Sequence, residues 1–156
     1  LTAENLQKAE ISEQIIKDYF RSLNYIVYGI EPVDKGKRHF FDFVCTLNKE
    51  DIIYVDVKFK QNSIFKKKVF GELHGINVTS FEEYQQCKKI SSCKFFLIFV
   101  ELLSKTVYFQ EIDKLQNPVY TDNNKIICWK VSEMKILFHL DDNHIERLKN
   151  PNNVEV

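Results

Sequence analysis

The chain has 156 residues, 44% hydrophobic and 28% charged, which is ordinary globular usage and enough length to bury a real core. Its 22 basic and 22 acidic side chains cancel, which argues against indiscriminate coating of nucleic acid and leaves room for a local patch. No apolar run approaches a membrane span, and Glu4, Lys8 and Glu10 interrupt the N-terminal apolar positions, so no signal peptide is expected and a cytoplasmic location is.

Residues 2–23 carry helical periodicity, with Leu6, Ala9, Ile16, Phe20 and Leu23 on one stripe. Glu13 falls in the middle of that stripe, and Ile15 and Tyr19 widen the apolar face beside it. A charged residue there is either ion-paired or aimed into a functional cleft. A strand is predicted over Tyr25–Ile30, followed by a loop at Pro32–Lys37, near the site and in reach of DNA.

Two apolar runs then follow, His39–Leu47 and Ile52–Phe59, each with strand alternation and high strand propensity. The polar segment Asn48-Lys49-Glu50-Asp51 between them has a common hairpin length. Phe41, Phe43, Cys45 and Leu47 share one face of the first run, with Asp42 on the other. Asp56 and Lys58 lie together on one face of the second, with Tyr54. Pairing the runs brings two carboxylates and one amine to one side of a sheet, the makings of a metal site with an adjacent cation. Taken singly, Asp56 and Lys58 are an ordinary surface ion pair, Asp42 a solvated residue and Glu13 an arginine's partner. The four in this order favour the site.

Helix Glu, strand Asp, then strand Asp-x-Lys resembles the PD-(D/E)xK nuclease superfamily over roughly the first 60 residues, Glu13, Asp42, Asp56 and Lys58 carrying the match. Glu13 through Tyr25 is most similar to the opening of the archaeal Holliday junction resolvase branch, with Asn24 where that branch has glycine and Phe41 where it has proline. The resemblance implies an α/β fold with a restriction-endonuclease-like αβββαβ core, a mixed central sheet flanked by helices. It implies a metal-dependent DNA endonuclease with Glu13, Asp42, Asp56 and Lys58 as catalytic residues.

The residue types suit that chemistry. Oxygen ligands suit Mg²⁺, with Mn²⁺ as a substitute. Asp42 and Asp56 supply ligands, with the carbonyl of Val57, and Glu13 binds metal-linked water or a second cation. Lys58 orients or deprotonates the attacking water, or stabilises the charge that develops. Gln61, just past the strand, positions water or substrate. Lys58, Lys60, Lys66, Lys67 and Lys68 form a run with no acid, placed to hold phosphates of DNA. His74, beside Gly75, is a candidate phosphate contact or accessory acid, and His39 a weaker one at the cleft edge.

Further along, Leu73–Asn77 reads as a turn entering a helix over Phe81–Ile90, with Ser80 and Glu83 as a capping box. Phe95–Val100 reads as a central strand covered on both faces, followed by strands at Thr106–Ile112, Lys125–Val131 and Met134–Leu140 and a short helix at Asp142–Leu148. The cysteines lack zinc-site spacing, and Cys45 and Cys128 read as small core residues. No repeat or linker divides the chain, so residues 1–150 are expected to form a single domain and 151–156 a disordered tail.

Three functions are compatible with this reading. The first is a Mg²⁺-dependent DNA endonuclease, working as a monomer, a homodimer or with a partner subunit. The second is a non-catalytic nucleic-acid-binding relative, which has no need of the intact residue set. The third is an RNA-directed nuclease or a subunit of a larger nuclease complex.

Overall fold

The computed structural model describes residues 2–29, 41–48, 50–65, 70–90, 92–121 and 123–153. The whole Pro32–Lys37 loop, His39, and Lys66, Lys67 and Lys68 lie outside the described residues.

Helix α1 spans Ala3–Ser22 and starts on Thr2, whose side chain accepts the Asn5 N–H. It ends in a Schellman turn: Asn24 takes φ +67°, its N–H bonds the Arg21 carbonyl, and the Tyr25 N–H bonds the Phe20 carbonyl. Asparagine is the residue after glycine that best tolerates this left-handed position, so it replaces the glycine without losing the turn. The buried face is Ile11, Ser12, Ile15, Ile16 and Phe20, whereas Leu6 and Leu23 at the two ends are 54% and 47% exposed. The stripe is therefore rotated from the expected one, and Glu13 sits at its flank rather than its middle.

Strands β1 (Ile26–Gly29), β2 (Phe43–Thr46) and β3 (Ile52–Lys60) form an antiparallel meander. Strands β4 (Ile64–Phe65) and β5 (Glu72–Asn77) follow, then helix α2 (Val78–Ile90), β6 (Lys94–Glu101) and β7 (Thr106–Glu111). The chain closes with β8 (Val119–Thr121), β9 (Ile126–Lys130), β10 (Lys135–His139) and helix α3 (Asp142–Lys149). One six-stranded sheet has the order β1-β2-β3-β6-β7-β10, mixed because β3 and β6 run parallel. Helix α2 lies in their crossover, as a parallel connection requires. This is the expected αβββαβ core, with β4 and β5 inserted before α2.

The second sheet, β4-β5-β9-β8, was not foreseen. It arises because Leu73–Asn77 is a strand and not a turn: Leu73, His74, Gly75 and Ile76 are all buried, and Gly75 pairs with Cys128. A Cβ at Gly75 would meet Cys128 Sγ and lie 2.8 Å from the Ile127 carbonyl oxygen, so only glycine lets β5 and β9 approach.

The six-stranded sheet is covered on both faces. On one, Phe43, Val55, Val57, Ile98 and Val100 pack against α1 and α3. On the other, Phe95, Leu97 and Phe99 pack with Tyr84 of α2 and Ile127 and Trp129 of the second sheet. Two local signals were overridden. Helix α2 begins at Val78, whose N–H bonds the Lys125 carbonyl, so Ser80 is a buried residue of the first turn and not a cap. Pro151–Asn153 form a 3-10 turn with Pro151 buried, in contact with α1, where a loose tail was expected.

Candidate active site

The hairpin expected from the polar turn is present, with Phe43 opposite Val55 and Cys45 opposite Ile53. The strand is shorter than predicted. Asp42 precedes β2, and alternation breaks there, so Phe41 turns to the opposite core and packs against Tyr54 at 4.5 Å. Freed from the regular ladder, Asp42 bonds β3 twice. Its N–H donates to the Val55 carbonyl at 2.9 Å, and its Oδ2 accepts the Val57 N–H at 2.7 Å.

This folds the Asp42 carboxylate against that of Asp56, whose side chain is only 6% exposed. Lys58 Nζ lies 3.3 Å from Asp56 Oδ2. The same oxygen accepts a hydrogen bond from the Tyr84 hydroxyl of α2. Tyr84 is absent from the four-residue pattern, and a hydroxyl on the helix predicted over Phe81–Ile90 is the one sequence signal of its role. Glu13 is within electrostatic reach of Asp42, but its carboxylate pairs with Lys17 at 2.8 Å.

Burial pushes the Asp42 carboxyl up to about 8, helped by the Asp56 charge and opposed by the Val57 N–H. Burial also raises the Tyr84 hydroxyl well above the usual phenol range, with Asp56 adding to it, so it stays a donor. Two adjacent carboxyl groups with one lysine beside Asp56 offer only oxygen donors, and both carboxyls become anionic once Asp42 loses its proton. That set fits a hard divalent cation held by one or two carboxylates. Among the described residues no three His, Cys, Asp or Glu side chains gather into a ligand cluster on their own.

Two of the expected DNA contacts turn inward. His74 is fully buried, stacked on Phe99 at 5.0 Å, with Nε2 lying 2.8 Å from Glu101 Oε1 though not at a hydrogen-bond angle. Burial, with Lys60 nearby, lowers its pKa to about 4, so the ring is neutral. It is a filler between the sheets and is closed off from any phosphate. Lys60 donates to the Gly75 carbonyl at 2.8 Å, and burial lowers its pKa, with Lys58 adding to the effect. Its amine ties the sheets together and is not part of an outward basic run. Gln61 is exposed past the end of β3.

No protein-family model and no curated protein sequence matches the chain. Solved structures do. Hjc, a Holliday junction resolvase from the archaeal hyperthermophile Archaeoglobus fulgidus, aligns with a TM-score of 0.56 at 9% identity, covering 78% of this chain and 88% of its own. D212, a nuclease from a fusselovirus, aligns with a TM-score of 0.50 at 14% identity, covering 88% of each chain. One is a junction resolvase and the other a nuclease, and at these identities the likeness is one of fold. The α/β, restriction-endonuclease-like architecture is as expected.

Proposed function

We propose that this protein is a metal-dependent endonuclease that hydrolyses phosphodiester bonds of DNA, and that residues 1–150 act as one nuclease domain. The observation that carries the reading is the contact of Asp42 with Asp56 beside Lys58, on a fold shared with a junction resolvase and a viral nuclease. Asp42 and Asp56 would hold Mg²⁺, or Mn²⁺ in its place, with the Val57 carbonyl as a third donor. When bound, the ion supplies Lewis-acid polarisation of the scissile phosphate and a more acidic water. Lys58 would orient the attacking water and, as an ammonium, neutralise the charge gathering on the phosphoryl oxygens, or in its neutral form take the water's proton. The water oxygen bonds to phosphorus as the ester oxygen departs with a proton from solvent. Glu13, released from Lys17, would bind metal-linked water or a second cation.

Substrate binding falls to Gln61 and to Lys66, Lys67 and Lys68. A four-way junction is the substrate class favoured by the likeness to a resolvase, and two copies of the chain would place one centre on each cut strand. The test is incubation with Mg²⁺ and a panel of linear duplex, supercoiled plasmid, single strand, flap, four-way junction and RNA. Metal-dependent cutting of DNA, reduced about 100-fold or more by Lys58→Ala or Asp56→Ala, is the expected result. Salt-sensitive DNA binding with no cutting of any substrate would point instead to a non-catalytic relative.

A further inference from the structure

Tyr84 reaches the candidate centre from α2, an element outside the four-residue pattern. It is 3% exposed, and its ring lies 4.8 Å from that of Phe95. Its hydroxyl donates to Asp56 Oδ2, the oxygen that Lys58 Nζ approaches at 3.3 Å. Two donors from two elements thus converge on one oxygen. A carboxylate held that way is restrained about its side-chain torsions; the Asp42 carboxyl is hydrogen-bonded to the same group, and Oδ1 carries neither the Tyr84 nor the Lys58 contact.

We propose that Tyr84 is a positioning residue that fixes the Asp56 carboxylate so that Oδ1 faces the cation, and that this rigidity favours Mg²⁺ over Ca²⁺. The inference rests on the metal-centre reading above. Mg²⁺ demands a near-ideal octahedron, whereas Ca²⁺ accepts irregular shells of more ligands. Freeing the Asp56 plane therefore costs the smaller ion more. Partners that orient a metal ligand are typically worth 10- to 100-fold in affinity.

Calorimetric titration of Mg²⁺ and Ca²⁺ into the wild type, Tyr84→Phe and Asp56→Ala tests this. Tyr84→Phe should bind Mg²⁺ at least about 10-fold more weakly, with Ca²⁺ affinity changed by less than about 3-fold. A purely structural tyrosine would lower both equally or neither, and either result overturns the proposal. A second measurement keeps the hydroxyl: with 3-fluorotyrosine at position 84, the fluorine resonance should shift on adding Mg²⁺ and stay fixed in Asp56→Asn. A resonance that ignores Mg²⁺ while calorimetry records binding also overturns it. A wild type that binds no Mg²⁺ overturns the metal centre itself, and this inference with it. Full Mg²⁺ binding by Tyr84→Phe leaves the centre standing and removes only the role of Tyr84.

Discussion

The Asp42 carboxylate accepts the Val57 N–H at 2.7 Å, so one candidate ligand is fastened to the strand that carries the other. That bond favours the ionised form, yet burial and Asp56 outweigh it and the group titrates at about 8. The folded pKa is above the ordinary 3.8, so the stability linked to this group is complete below 3.8 and is lost as pH rises through about 8. Asp42→Asn should raise the melting temperature of the metal-free protein at about pH 9, and the gain should vanish near about pH 4. Scanning calorimetry across that range checks it; a gain of equal size at every pH would sink the argument.

Metal binding should carry the same proton. Below about pH 8 an ion on Asp42 must displace it, so Mg²⁺ affinity should climb by up to about tenfold per pH unit and level off above about pH 8. Titrations in two buffers of different ionisation heat count the protons released. An affinity that is constant from about pH 6 to about pH 8 would contradict this.

His74 gives an acid-side effect of the same origin and opposite direction. Its folded pKa of about 4 lies below the ordinary 6.5, so the neutral ring contributes stability that is present above 6.5 and lost as pH falls through about 4. The loss amounts to at most about 3 kcal/mol. His74→Phe keeps a ring against Phe99 and should make urea unfolding less pH-dependent across that window. An unchanged acid profile would show that other groups govern it.

Gly75→Ala should destabilise the protein by about 1–3 kcal/mol, because the new methyl overpacks the β5–β9 contact. Adding Cys128→Ala relieves the sulfur but leaves the Ile127 carbonyl oxygen 2.8 Å from the methyl, so recovery should be partial. Urea melts of the single and double variants decide it; full recovery would mean that the sulfur alone sets the limit.

The hairpin bearing Asp42, Asp56 and Lys58 was legible because period-two alternation and a short polar turn are local signals. So was the parallel strand β6, a continuous apolar run buried from both sides. Strand β5 was hidden because its glycine and histidine resemble a turn, and only its pairing with β9, some fifty residues on, makes it a strand. Tertiary contacts also hid the fates of His74 and Lys60, which are settled by Glu101 and the Gly75 carbonyl. Ser80 and Glu83 form a sound capping signal, yet the Lys125 carbonyl starts the helix three residues earlier. The Tyr84 contact with Asp56 spans 28 positions, beyond what any spacing rule can read.

All four residues of the candidate centre lie before position 60, but their setting does not. Leu97 and Phe99, beside Asp56 and Lys58 in β6, are roofed by Ile127 and Trp129 of the second sheet. A fragment ending after β7 would keep every charged group of the centre and expose a raw apolar sheet face beneath it. The candidate centre is therefore indivisible from the distal third of the chain, which covers the sheet face on which its residues stand.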